Sequence, residues 1–232
     1  MGTVCNWDWA GECGVRLVLA DQPSAETTDR LLSLKAHLAA ALTSGLVDQV
    51  VGYTTLTVFF DPSLVSRDSL VSLADQWSGN DQEQRSASQL PARQITLPVW
   101  YAPEAGADLL SVATELGMTP AELIAIHSER DYRAYANGFA PGFCYLGQTS
   151  EAIARPRLRT PRRAVPPGSV AIADRQTAVY PSSSPGGWRL LGRCPLPMFD
   201  IARDPPNRLQ VGDTVRFQPI SKTEFIALGG LV

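Results

Sequence analysis

The apolar positions of this chain change period along its length, and the changes mark its elements. Residues 15–19 (VRLVL) alternate as a half-buried strand does. Ser24 then opens a helix in which Leu31, Leu34, Leu38 and Leu42 keep helical spacing, and Gly45 stops it. TTLTVFF (54–60) is a β-branched and aromatic strand, with LVDQVVGY before it as hairpin partner or lead-in. Ser66 caps a second helix that carries Asp68 in its first turn and Leu70, Leu73, Ala74 and Trp77 on one face. The polar run SGNDQEQRSASQ (78–89) reads as a loop. RQITLPVWY (93–101) reads as a strand, and Pro98, which has no N–H to donate, points to a sheet edge. Strand, helix, strand or hairpin, helix, strand predicts a split β-α-β sandwich of ferredoxin-like type with its boundary near residue 93.

A helical pair follows. DLLSVATEL ends at Gly117, and TPAELIAIH starts with Thr119 as N-cap, Pro120 at the first helical position and Glu122 three residues after the cap, a capping box. From residue 132 on, helical spacing is lost. Short strands at SVAIA (169–173), QTAVY (176–180), WRLLG (188–192) and TVRFQP (214–219) alternate with Pro/Gly turns, as in a compact β-barrel. The predicted fold class is α+β, with an N-terminal α/β sandwich over residues 1–93 and a β-barrel over residues 94–232.

Composition narrows the functions. A chain of 232 residues with 44% hydrophobic content can build a real core. A net charge of −3 gives no general nucleic-acid footprint. Cys5, Cys13, Cys144 and Cys194 are scattered without C-x-x-C spacing, which supports neither a zinc site nor a disulfide framework. The start lacks the features of a signal peptide, and no apolar run approaches the roughly 20 residues of a membrane span. The expectation is a soluble cytoplasmic protein without a bound metal. Neither a phosphate-binding G-x-x-x-x-G-K-[ST] loop nor a dinucleotide fingerprint is present.

The chemistry concentrates between Asn137 and Arg193, where NGFAPGFCYLG, RPRLRTPRRAVPPGSVAI and YPSSSPGGWRLLGR are dense in Gly, Pro, Arg and aromatics. Gly138, Pro141 and Gly142 let backbone approach a ligand, and Phe139, Phe143 and Tyr145 supply walls, or else they form a structural corner. Arg155, Arg157, Arg159, Arg162 and Arg163 suit a carboxylate or phosphate clamp, or else a solvated face. The prolines at 156, 161, 166 and 167 favour the clamp by holding the segment extended, with Arg162 or Arg163 foremost. His127 falls in the last turn of the capped helix, where the dipole favours its protonated form; it is either a proton-transfer group or a residue satisfying carbonyls. PGGW (185–188) is a tight turn delivering Trp188, and Cys144 between Phe143 and Tyr145 reads as a buried thiol.

GFAPGFCYLG, TPRRAVPPGSVAIADRQTAVYP and SPGGWRLLGR together resemble the 5-oxoprolinase B-subunit family (PxpB), earlier named for the sporulation-kinase inhibitor KipI and for allophanate hydrolase subunit 1. YTTLTVFFDP (53–62), LPVWY (97–101) and GDTVRFQPI (212–220) extend the resemblance over nearly the whole chain. It implies a ferredoxin-like domain followed by a cyclophilin-like β-barrel. It also implies an ATP-dependent complex, formed with the 5-oxoprolinase A subunit and a KipA-like C subunit, that opens 5-oxoproline to L-glutamate. In that setting His127 and Arg162 are expected as catalytic residues, and Phe139, Pro141, Gly142, Phe143, Tyr145, Arg163, Gln176 and Trp188 as substrate-binding ones. ATP would belong to the assembled complex. The family names also imply alternatives: a non-catalytic inhibitor that binds a sensor histidine kinase, or a carboxyltransferase-like or allophanate-type module for a small amide. The chain departs from the family pattern at Gly11–Glu12, at Val51–Gly52–Tyr53, at Cys194 where threonine is common, and at Asp174 where glycine is common.

Overall fold

The computed structural model describes residues 6–77 and 93–232; Cys5 and the 78–89 loop lie outside them. The chain divides into two compact units, Met1–Ala92 and Arg93–Val232.

In the first unit, β1 (Asn6–Trp9), β2 (Gly14–Val18), β3 (Leu46–Val51) and β4 (Thr55–Phe60) form an antiparallel sheet in the order β1-β2-β4-β3. Helices α1 (Ala25–Ala41) and α2 (Arg67–Gln76) pack on each other, and α1 packs on β3 and β4. Period 2 in the strands meets period 3.6 in the helices: Val15, Leu17, Leu56, Val58 and Phe60 are buried together with Leu31, Leu34, Leu38 and Leu70. Both helix starts are capped as their sequences predict, Ser24 accepting from the Thr27 N–H at 3.0 Å and Ser66 from the Ser69 N–H at 3.1 Å. The element order differs from expectation in one respect. The strand beside β2 is β1, and the strand after α2 belongs to the second unit. NWDW alternates polar and aromatic residues, but it is only four residues long and mostly exposed, which makes it a weak strand signal.

The second unit is a nearly closed barrel. Its seven-stranded sheet contains β5 (Gln94–Val99), β6 (Tyr132–Asn137), β7 (Cys144–Gly147), β9 (Ser169–Ala173), β10 (Gln176–Val179), β12 (Arg189–Arg193) and β13 (Thr214–Pro219) in the order β12-β9-β10-β7-β6-β13-β5. Pro98 therefore sits on an edge strand. The two edges meet just past β5, where Trp100 and Arg193 exchange backbone hydrogen bonds of 2.9 and 3.0 Å. A two-stranded ladder of β8 (Arg162–Val165) and β11 (Ser184–Gly186) stands apart from this sheet.

Helices α3 (Leu109–Leu116) and α4 (Pro120–Ser128) pack against β12 and β13 respectively. Gly117 ends α3 in the left-handed conformation at φ 68°, and the Thr119–Glu122 capping box starts α4. A short C-terminal helix, α5 (Lys222–Ala227), has a second such box between Ser221 and Glu224. Among the described residues no single helix is long and apolar enough to cross a membrane. Asp174 turns the chain between β9 and β10 at φ 50°, a conformation that glycine adopts freely and that aspartate tolerates better than most residues. Cys194 is buried in the barrel core, which pushes its thiol up to about 11.

The approach to α3 is the tightest joint in this unit. At Gly106 the chain runs so close to β12 that an added Cβ would overlap the backbone of Leu191 and Gly192. Gly106→Ala is expected to destabilise the second unit by about 3 kcal/mol, at the upper end for overpacking because the obstacle is backbone. Chemical denaturation would check this; a loss below about 1 kcal/mol would show that the joint can open.

Candidate functional site

The β6–β7 loop, the arginine segment and the PGGW turn converge on one cleft of about 310 Å³. It is lined by Phe139, Phe143, Tyr145, Arg157, Leu158, Pro161, Tyr180 and Pro185–Trp188. Each part is set by its backbone. The loop closes through Gly138 N–H to the Phe143 carbonyl (3.1 Å) and Phe143 N–H to the Ala140 carbonyl (2.9 Å). The arginine segment is joined to the turn where the Leu158 N–H donates to the Gly187 carbonyl at 2.7 Å. At Gly186 any side chain would strike the Tyr180 hydroxyl.

The walls are a continuous aromatic cluster. Phe143 is buried and packs edge-to-face on Phe139, Tyr145, Tyr180 and Trp188, with ring centroids 5.1, 4.9, 5.4 and 5.7 Å away. Phe139 forms the rim. It is 61% exposed and holds φ at 71°, strained for a bulky side chain. Burial raises the Tyr180 hydroxyl above its usual range, so it stays a neutral phenol at neutral pH. The guanidinium of Arg157 lies 5.8 Å from the centroid of Trp188 and brings a positive charge to the cleft.

The expected site residues divide. Phe139, Phe143, Tyr145 and Trp188 line the cleft. Pro141 and Gly142 shape the loop without lining it. Gly142, at φ 84°, is buried where a Cβ would lie 2.7 Å from that of Phe199, so the constraint there is the neighbouring chain segment. Gln176 starts β10, two and four residues before Ala178 and Tyr180 on the same strand face, and is outside the lining. Arg163 is exposed and has no hydrogen-bond or ion-pair partner among the described residues. Arg162 is spent on the fold. It donates to Asp108 Oδ1 at 2.6 Å, and the buried Asp108 accepts the Leu190 N–H on Oδ2 at 2.7 Å.

Sequence reasoning counts Arg157 among five clamp candidates while favouring Arg162 or Arg163, and it does not single out Tyr180. The alternation of QTAVY does put Tyr180 on one face with Ala178. The spacing of the arginines does not separate Arg157 from its neighbours.

His127 is not brought to the cleft. It is fully buried, its ring stacked on Phe217 with centroids 4.7 Å apart. Both ring nitrogens are engaged, Nδ1 with the Tyr101 hydroxyl at 2.8 Å and Nε2 with Thr177 Oγ1 at 2.9 Å. Thr177 donates its own hydroxyl proton to the Ala171 carbonyl at 3.0 Å, so it accepts from an Nε2–H. The helix dipole suggested a protonated ring, but burial outweighs it and pushes the pKa down to about 3. The imidazole is therefore neutral, which leaves Nδ1 to accept from Tyr101.

Two measurements follow from these placements. Arg162→Ala leaves the buried Asp108 carboxylate without its cation and is expected to cost about 2–3 kcal/mol, below the range for fully buried pairs because the arginine is partly exposed. Denaturation of the variant checks this, and an unchanged midpoint would show the pair to be dispensable. For His127, the unfolded chain takes up a proton below about pH 6.5 that the folded chain refuses until about pH 3. Stability conferred by the neutral ring is therefore complete above pH 6.5 and falls with pH by about 1.4 kcal/mol per unit below it. Between pH 7 and 5 the wild type should lose about 2 kcal/mol more than His127→Gln; equal losses would mean that the folded chain also protonates this ring.

Comparison with known proteins gives this geometry a family. Residues 5–209 match the carboxyltransferase domain, subdomain C and D. The chain is 39% identical over 203 residues to the B subunit of the 5-oxoprolinase of Bacillus subtilis (strain 168), which covers 82% of this chain and 85% of that protein. It is 41% identical over 172 residues to the B subunit of the 5-oxoprolinase of Haemophilus influenzae, covering 74% of this chain and 78% of that protein. Of solved structures, TTHA0988 superposes with a TM-score of 0.77 and 36% identity over 90% of this chain, which spans 40% of that longer chain. The urea amidolyase of K. lactis shares the fold, with a TM-score of 0.69 at 16% identity over 95% of this chain and 15% of that one. By sequence over most of its length, and by the α/β sandwich and barrel that sequence builds, the chain belongs to the 5-oxoprolinase B-subunit family.

Proposed function

We propose that this chain is the B subunit of a cytoplasmic, ATP-dependent 5-oxoprolinase, working with the A and C subunits to open 5-oxoproline to L-glutamate. The observation that carries the reading is the 39% identity to the Bacillus subtilis B subunit over 82% of the chain. The cleft supports it. A lactam is a flat, weakly electrophilic amide, because resonance ties up its nitrogen lone pair. Aromatic walls suit such a ring, and they exclude the water that would weaken polar contacts to it.

In this reading ATP supplies the driving force by activating the amide oxygen as a leaving group. The residues of this chain bind, orient and shield the ring. Among the cleft's lining residues the ionisable side chains are Arg157, Tyr145 and Tyr180. A single guanidinium is a poor match for a triphosphate, and we assign the nucleotide and the proton-transfer groups to the other two subunits. His127 and Arg162 then act by holding the barrel and the arginine segment in place.

The test is to purify the chain with the A and C subunits and measure 5-oxoproline-dependent ATP hydrolysis together with glutamate formation. Coupled production of glutamate and ADP, lost when this chain is left out, is the expected result. A fully assembled complex that hydrolyses no more ATP with 5-oxoproline than without it would sink the proposal.

A further inference from the structure

Part of the arginine charge of this chain is neutralised within the fold. Among the described residues, Arg16, Arg93, Arg155, Arg162, Arg175, Arg189 and Arg216 each pair with an aspartate or glutamate. Within the 155–163 segment, Arg155 is held by Glu115 and Arg162 by Asp108. Arg157, Arg159 and Arg163 have no acid partner among the described residues, and of these only Arg157 lines the cleft. The cleft lining contains no carboxylate to neutralise it. Arg157 is also well placed for a ligand. Pro156 precedes it, the next residue is pinned to Gly187, and its guanidinium lies over Trp188.

We infer that Arg157 is the anion anchor of this cleft and takes the carboxylate of a small flat lactam whose ring lies among Phe139, Phe143, Tyr145, Tyr180 and Trp188. A planar guanidinium matches a carboxylate with two parallel hydrogen bonds. A cleft of about 310 Å³ is at the small end for ligand sites, suited to one ring and one charged group. This rests on the proposed function for the identity of the lactam, and it adds the residue that selects lactams bearing a carboxylate.

The experiment compares wild type, Arg157→Gln and Arg157→Lys in the assembled complex of all three subunits, with Arg159→Gln as an exposed control outside the cleft. KM and kcat are measured separately for 5-oxoproline and for ATP. Each complex is also titrated with 5-oxoproline and with 2-pyrrolidone, the same ring without the carboxylate, while tryptophan fluorescence is followed; Trp188→Phe identifies the Trp188 signal. Arg157→Gln should raise the KM for 5-oxoproline by about 10- to 100-fold, the scale of one charge-assisted pair. It should leave kcat and the KM for ATP within a few-fold, and Arg157→Lys should recover part of the loss. In the titration, the wild type should prefer 5-oxoproline to 2-pyrrolidone and Arg157→Gln should not.

An active complex in which Arg157→Gln keeps the wild-type KM for 5-oxoproline overturns the inference and leaves the proposed function standing. A KM effect confined to ATP also overturns it, by giving the charge to a phosphate. A complex without turnover that still binds 5-oxoproline through Arg157 sinks the proposed function and supports the anchor. A complex with neither turnover nor carboxylate-dependent binding overturns both.

Discussion

The second unit is organised around one buried neutral imidazole. His127 sits where the capped helix α4 reaches the barrel, and its ring bridges Tyr101 just past β5 and Thr177 on β10. The chain of donors continues to the Ala171 carbonyl on β9, and the Tyr132 hydroxyl on β6 closes the helix end by donating to the His127 carbonyl at 2.7 Å. Stacking on Phe217 adds β13. One side chain thus touches elements spread around the barrel. It can do so only while uncharged, since Nδ1 must accept the Tyr101 proton and burial would penalise an imidazolium heavily.

This relay also sets the cleft. Side chains alternate along β10, so when Thr177 and Val179 turn to the face that holds His127 and the barrel core, Ala178 and Tyr180 turn to the aromatic cluster. The same alternation on β9 puts Val170 in the core and Ala171 and Ala173 against the cleft's aromatics. A slip of one residue would exchange core and site. A specific polar contact at Thr177 opposes that slip more sharply than apolar packing does, because it would strand two buried hydrogen-bonding groups. His127 therefore governs the site from a distance, without meeting a ligand.

The sequence disclosed what is local. Helix starts at Ser24, Ser66 and Thr119, the stop at Gly117 and the edge proline at Pro98 follow from one-residue or four-residue chemistry, and all are found as read. The Ser221–Glu224 capping box carried the same signal for α5 and went unread. What stayed hidden depends on tertiary burial. The dipole at the end of α4 argues for a charged His127, and only the surrounding barrel shows that desolvation wins. The five arginines of residues 155–163 look alike in sequence. The acids that separate them, Glu115 and Asp108, belong to α3 and its N-cap, some 40 residues or more earlier in the chain, and they leave Arg157 unpaired. β1 was missed although Trp7 and Trp9 alternate with Asn6 and Asp8, because a run of four residues is too short to mark a strand by period alone.

That division between paired and unpaired arginines bears on how a site of this kind works. Asp108 is buried and serves both Arg162 and the β12 backbone, so its charge is fully used. The Arg155–Glu115 pair likewise holds the arginine segment against α3. Two structural pairs therefore stiffen the segment that presents Arg157, whose own charge is left for use. A guanidinium held in one direction loses less freedom on binding than one on a mobile loop, so more of its interaction appears as affinity. The cost is that the cleft offers a ligand only one charge and aromatic walls, with Phe139 strained and half in solvent at its rim. Binding and orientation can reside in such a wall. Turning a bound lactam into an open chain also needs groups that carry protons and phosphoryl charge, and in the proposed function these come from the other two subunits.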